Sequence, residues 1–411
     1  MQAENKKNNI KTLSLGCRLN ALESEKIQSM LAPIMDAAIV INTCAVTAEA
    51  ERQSGQAARK LARENPDAPI FVTGCAATRN PDLFFQIPNA LVVPNHDKMN
   101  LSAYTDALAT APCDFHTPKI TKFTNHTAHL SKQYIQVQNG CNHECTYCVT
   151  RLLRGPAVSF AYDDIVADAR TAVANGFAEV VLTGVDTASY ARNGMLISDV
   201  CAGLLRDVPG IQRLRISSFD PASPQVFKII DLMHKDSRMM PHIHLSMQSG
   251  SDTILRAMRR RHTSDSVRKI VEYAGPRITF SWDIICGFPG ETDDLFRETM
   301  DLVRHTRPIK VHAFPFSARP GTVAADMPNN VNRTIARARV HEITSVADAI
   351  RREFMALQVG QCVPVLVEEN NLARTPHDIS VKISGDKIPS RTICDVKIVG
   401  IADDMYIGER V

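Results

Sequence analysis

YIQVQNGCNHECTYC, residues 134 to 148, sets the architecture of this chain. YIQVQ (134 to 138) reads as a short buried strand, and a glycine and three cysteines follow it at its carboxyl end. Cys141, Cys145 and Cys148 are spaced by four and three residues, a pattern that scattered cysteines seldom produce. Downstream, EVVLTG (179 to 184), RLRISS (213 to 218), HIHLSM (242 to 247), ITFSWDIIC (278 to 286) and KVHAFPF (310 to 316) read as further strands. Helical patterns such as 161 to 175 and 292 to 306 lie between them. Six βα units predict an open relative of the (β/α) barrel, whose site belongs at the carboxyl ends of its strands. The cysteine triplet stands at the first of those ends.

Upstream, KTLSLG (11 to 16), AAIVINT (37 to 43), IFVTG (70 to 74) and ALVVP (90 to 94) alternate with amphipathic stretches such as 47 to 64. They predict a small α/β domain with a parallel sheet. Cys17, Cys44 and Cys75 each end one of those strands, and carboxyl ends of parallel strands converge on one crevice, so these thiols are placed to meet. Residues 101 to 132 show weak periodicity and read as a connection between domains. Residues 331 to 357 form a long charged helical stretch, and from Gly360 onward period-two runs predict a small antiparallel β-barrel. The expected class is therefore α/β, with domains at 9–115, 127–357 and 358–411.

The chain has 411 residues, 44% of them hydrophobic, so a sizeable core is available and disorder is excluded for most of it. No run of about 18 apolar residues occurs, and the polar start MQAENKKNNIK lacks the apolar core of a secretory signal. A cytoplasmic protein without a membrane partner is expected. Lys and Arg number 47 against 44 Asp and Glu, so net charge neither demands nor excludes nucleic acid. Eleven cysteines, an odd number, in a reducing compartment point to metal ligation or catalysis rather than disulfides.

Thiolates bind zinc and iron–sulfur clusters, but structural zinc needs a fourth protein ligand, and the triplet has no fourth cysteine nearby. His143 would supply it in the zinc reading; a cubane cluster with one iron open to substrate is the alternative. Cys113, Cys201, Cys286, Cys362 and Cys394 have no partner at ligand spacing and read as ordinary core or surface residues.

The motif CxxxCxxC after the first strand of a partial barrel resembles the radical S-adenosylmethionine superfamily. The chain from Lys11 to Val411 is similar to its methylthiotransferases through LGCRLNALESE, NTCAVT, VTGCAA, GCNHECTYC, VLTGVDTASY, HLSMQSGSD, MRRRH, DIICGFPGET and FPFSARPGT, in the family's order. The resemblance implies that Cys141, Cys145 and Cys148 hold a 4Fe-4S cluster whose open iron chelates S-adenosylmethionine, which on reduction yields a 5'-deoxyadenosyl radical. It implies a second 4Fe-4S cluster on Cys17, Cys44 and Cys75, and a flavodoxin or ferredoxin as electron donor to a monomeric enzyme. Gly184 and Asp186, beside Thr183 and Val185, take the place of the superfamily's second motif, which meets the amino end of S-adenosylmethionine; a tight βα turn explains them equally. Gln248 and Ser249 face the barrel mouth, as cofactor contacts or loop caps. Tyr147 matches the aromatic position at the adenine, or simply packs, and Gly287 in GFPGE matches a loop beside the adenine or is turn chemistry. MRRRH (258 to 262) is either a solvated cationic face or a phosphate contact.

The terminal barrel resembles the TRAM domain, an RNA-binding module. From Gln361 to Val411 there are six Lys or Arg, eight Asp or Glu, and Tyr406 as sole aromatic, so neither a basic field nor a stacking platform is evident. NTCAVTAEAERQ, GVDTASY and RISSFDPA resemble the branch acting on threonylcarbamoyladenosine in tRNA. The implied reaction adds a methylthio group to carbon 2 of that adenosine, next to the anticodon. The branches for isopentenyladenosine in tRNA and for a ribosomal-protein aspartate are the alternatives within the family. A non-catalytic RNA-binding protein with structural metal is the alternative outside it.

Overall fold

The computed structural model describes residues 9–111, 115, 120 and 131–411. Cys113 and most of the expected connection lie outside the described residues. The chain forms two compact units: its N-terminal part together with Gly140–Asn142 and Cys148–Pro156, and the remainder through Val411.

In the first unit, β1 (Asn9–Ser14), β2 (Ala37–Thr43), β3 (Ile70–Gly74) and β4 (Ala90–Val92) make a parallel sheet in sequence order. All seven residues of β2 are buried, because both faces of a parallel sheet are covered. Alternation sends Ile39 and Ile41 to one face, with Ala58 and Leu61 of the helix Ala48–Glu64. Ala38 and Val40 go to the other face, with Ile27 and Leu31 of the helix Arg18–Leu31. Thr47 caps Ala48–Glu64 by accepting from the amide of Ala50 at 3.1 Å, and Glu49 and Glu51 lie in its first turn. The expected connection at 101 begins instead as the helix Leu101–Ala109. Its one large anchor is the buried Tyr104, edge-on to Phe71 at 5.2 Å, and a single anchor gives too little periodicity to read from sequence.

In the second unit, β5 (Lys132–Gln136), β6 (Glu179–Thr183) and β7 (Arg213–Ile216) form one parallel sheet. β8 (His242–Gln248), β9 (Thr279–Cys286) and β10 (Lys310–Pro315) form another. Isolated parallel bridges Leu214↔Met239 and Phe219↔Leu245 join β7 to β8 and complete a six-stranded arc, the expected partial barrel.

The helix Arg333–Ala356 leads to β11 (Cys362–Val367), β12 (Leu372–Arg374), β13 (Ser380–Ser384), β14 (Ile393–Ala402) and β15 (Met405–Arg410), closed in the order β11-β12-β13-β15-β14. The expectation of an antiparallel barrel needs correction at one seam, where β13 and β15 run parallel. β14 and β15 form a hairpin through Asp403 and Asp404, both left-handed, at φ 49° and 56°. That reversal fixes the direction of β15 against β13. Gly408 interrupts the apolar pattern of β15; a Cβ there would lie 2.3 Å from Val396 Cγ1.

This small barrel is seated on the amino-terminal rim of the larger one. Lys132, Glu179 and Arg213 are the first residues of β5, β6 and β7. Arg213 donates to the carbonyls of Arg374 (3.0 Å) and Pro364 (2.7 Å), and Arg215 to that of Thr375 (3.1 Å). Fully buried Glu179 accepts from Arg215 at 2.8 Å, with Lys132 at 3.4 Å, and Lys132 bridges on to Asp378 at 3.0 Å. Burial works to raise the Glu179 carboxyl, yet Arg215, Lys132 and Arg213 bring it below the ordinary carboxylate range.

Three imidazoles of this unit are removed from water in part or in full, His262 buried and His242 and His377 half-buried. Burial pushes the pKa of His242 down to about 3 and those of His262 and His377 to about 4. Below about pH 6.5 the unfolded chain takes up protons that these folded residues refuse, so their contribution is complete above that pH and drains as pH falls toward 4. Each costs at most about 1.4 kcal/mol per pH unit. The denaturant midpoint, followed by the fluorescence of the single, buried Trp282, should therefore be lower at pH 4.5 than at pH 7. A midpoint that ignores pH over this range would contradict the assignment.

Candidate iron–sulfur sites

In the first unit Cys17 precedes the helix Arg18–Leu31, Cys44 follows β2, and Cys75 opens the short helix Cys75–Arg79 after β3. The carboxyl ends of three adjacent parallel strands thus carry one thiol each. Backbone closeness demands glycine before the first: Gly16 has φ 89°, and a Cβ there would lie 2.5 Å from both Cβ and Sγ of Cys44. Cys44 and Cys75 are buried, and Cys17 is exposed. Burial pushes the Cys44 thiol up to about 11, and the neighbouring Cys17 and Cys75 add to the rise while Arg154 opposes it. Burial likewise raises Cys75, against Arg154 and Lys98. Ligation by a soft metal would release those protons.

Beside these thiols lies a buried charge group. Glu23 accepts from Lys98 at 2.5 Å and from Arg154 at 2.9 Å, and Arg154 also donates to Asn20 Oδ1 at 2.7 Å. Lys98 donates to Asn95 Oδ1 at 2.7 Å, while Asn95 Nδ2 reaches the carbonyl of Leu153 at 2.9 Å. Arg154 comes from the helix Thr150–Arg154, directly after Cys148. The first unit therefore contains both the strand-end thiols and the end of the CxxxCxxC segment.

The start of that segment is shaped by Gly140, φ 68°, where a Cβ would strike the Pro156 carbonyl at 1.9 Å; the amide of Cys141 donates to Gly155 O at 3.1 Å. In the second unit Thr146 pins the middle of the loop, its amide to Met258 O at 3.1 Å and its hydroxyl to Ala257 O at 3.0 Å. Arg260 Nη1 lies 3.7 Å from Cys145 Sγ, and its other nitrogen donates to Asp220 and to Ser246 O, both at 2.8 Å. His143, the imidazole of the zinc reading, has its Nε2 2.7 Å from Asp186 Oδ2 and 3.0 Å from Arg261.

The other sequence-derived positions occupy the carboxyl rim of the second unit. Gly184 and Asp186 follow β6; Asp186 receives Ser189 and His143 on its carboxylate, and its amide donates to Gln138 Oε1 at 2.9 Å. Gln248 ends β8 at a register shift with φ 68°, a conformation that a non-glycine residue holds only where its surroundings impose it. Ser249 is a loop cap, accepting from the amide of Ser251 at 3.2 Å. Tyr147 packs with Ile254, Met258 and Phe288. Gly287 follows β9, and its amide donates to Glu291, which is held by Arg339 at 2.6 Å. Within MRRRH the side chains divide: Arg259 and Arg261 are exposed while Arg260 is turned inward. Sequence reasoning missed Glu23, Lys98, Arg154 and Asp220 as parts of these sites.

Residues 135–303 match the Radical SAM superfamily, and residues 9–93 match a family described as uncharacterized, UPF0004. A threonylcarbamoyladenosine tRNA methylthiotransferase of Rickettsia prowazekii (strain Madrid E) is 37% identical over 409 residues, spanning 95% of either chain. The chain belongs to the radical SAM methylthiotransferases. A tRNA-2-methylthio-N(6)-dimethylallyladenosine synthase of Syntrophotalea carbinolica is 29% identical across 97% of this chain and 98% of its own. Among solved structures, the radical S-adenosylmethionine methyltransferase TsrM from Kitasatospora setae superposes with a TM-score of 0.57 over 77% of this chain and 74% of its own, at 13% identity, which shows a shared fold. Membership of the superfamily implies a 4Fe-4S cluster and S-adenosylmethionine. The donor chemistry fits: Cys141, Cys145 and Cys148 offer three soft sulfurs, one fewer than a cubane has irons. No described helix is long and apolar enough to cross a membrane.

Proposed function

We propose that this chain adds a methylthio group to carbon 2 of N6-threonylcarbamoyladenosine next to the anticodon of tRNA, in the cytoplasm, as a monomer served by a flavodoxin or ferredoxin. The observation that carries the reading is the division of six cysteines into two three-thiol sets, one at adjacent strand ends and one in the contiguous loop. In this reading Cys141, Cys145 and Cys148 hold the cluster that binds S-adenosylmethionine, and Cys17, Cys44 and Cys75 hold a second one. Held by Cys141, Cys145 and Cys148, a cluster would supply the reductive cleavage of the sulfonium that an unactivated hydrogen at carbon 2 calls for.

The protein's own residues hold and orient. Thr146 fixes the loop between its cysteines, and Gly140 and Gly16 keep the backbone close where a Cβ would intrude. Gly184, Asp186, Gln248, Tyr147 and Gly287 are our candidates for positioning S-adenosylmethionine, since they share the carboxyl rim with Cys145. We assign 9–115 to the second cluster, 127–357 to radical formation and 358–411 to RNA contact. Segments NTCAVTAEAERQ and GVDTASY support the threonylcarbamoyladenosine branch.

Deleting the gene should remove 2-methylthio-threonylcarbamoyladenosine from cellular tRNA and leave its unthiolated precursor, as read by nucleoside mass spectrometry. Loss of the dimethylallyl counterpart instead, or of the thiolated ribosomal-protein aspartate with tRNA unchanged, would place the chain in another branch.

A further inference from the structure

Arg154 belongs in sequence to the radical-forming segment, six residues past Cys148, yet its guanidinium is packed among the strand-end thiols of the first unit. Its side chain is 2% exposed. Two nitrogens are taken by Glu23 at 2.9 and 3.2 Å, and one also by Asn20 at 2.7 Å. A further hydrogen bond runs to the sulfur of Cys75, and Cys17 lies within its electrostatic reach. Glu23 is shared with Lys98, whose side chain is 3% exposed, so two buried cations face one carboxylate and a group of sulfurs. Burying charge is costly unless opposite charge answers it, and a cubane held by three thiolates carries net negative charge that increases on reduction. A planar, always-charged fork clamped by a carboxylate is preorganised to donate to such a sulfur, which a flexible lysine would do less well.

We propose that Arg154 is a positioning residue for the cluster on Cys17, Cys44 and Cys75: it donates to the Cys75 sulfur and raises that cluster's reduction potential. It also ties this sulfur to the same short helix that begins beside Cys148. The inference rests on the assignment of Cys17, Cys44 and Cys75 as ligands. Hydrogen bonds and positive charge at cluster sulfurs stabilise the more negative, reduced state.

The test uses the full-length chain with Cys141, Cys145 and Cys148 changed to alanine, so that all iron reports on the other site. Arg154→Gln and Arg154→Lys are added, and iron content and an EPR-monitored potentiometric titration are compared with the parent. The Gln variant should keep its cluster with a midpoint shifted to more negative potential, and the Lys variant should fall between it and the parent. Should the Gln variant hold no iron, the Lys variant alone must show the negative shift. An unchanged midpoint with full iron overturns the proposal, and so does loss of iron from both variants, which marks a purely architectural role. A parent without iron is a different failure, that of the ligand assignment itself.

Discussion

Replacing Cys141, Cys145 and Cys148 together by alanine is expected to abolish cleavage of S-adenosylmethionine and to leave about half of the iron and acid-labile sulfide per chain. The ligands are separable because the strand-end thiols are spaced by a sheet of their own. Cys17, Cys44 and Cys75 are spaced by β1, β2 and β3, whose register does not involve the CxxxCxxC loop. The loop in turn is held by Gly140 against Pro156 and by Thr146 on Ala257 and Met258. Iron and sulfide assays after anaerobic reconstitution read the outcome. Complete loss of iron from a chain that still folds would mean that the two sites are not independent.

The complementary change, Cys17, Cys44 and Cys75 to alanine, should leave 5'-deoxyadenosine formation intact while abolishing the methylthiolated nucleoside. On the proposed assignment radical formation draws on Cys141, Cys145 and Cys148, none of which this change alters. Removal of the thiols also leaves Arg154 and Lys98 facing Glu23 with no sulfur, so some loss of stability in the first unit accompanies the loss of product. Chromatography of the two products from one reaction separates the effects. Normal methylthiolation would remove these cysteines from the chemistry.

Most of the scaffold was readable because short apolar runs rich in β-branched residues and bounded by turn residues favour buried strands over helices. AAIVINT and IFVTG fold over the stretches their composition marks, and the residues just past them, Cys44 and Cys75, could be placed at strand ends. The helix Leu101–Ala109 and the strands β12 and β15 escaped notice because one aromatic, three residues and a glycine-broken run carry little periodic signal. The buried charges were illegible for another reason. Arg154 meets Glu23 across 131 positions, and Lys98 meets it across 75, so no local pattern announces either pair. Arg260 was hidden in plain view. A run of three arginines looks like one cationic face, but Arg259 at φ 55° turns the chain and sends its neighbour inward to Asp220.

The seat of the small terminal barrel decides how it can serve a large substrate. Ile309 and Met355 lie in its core, and the arginines at the start of β7 are capped by its carbonyls. It is therefore no arm on a leash, whose reach and local concentration would follow from linker length. Any RNA it grips is held at a fixed distance and angle from the opposite rim where Cys145 stands, as a ruler fixes two marks.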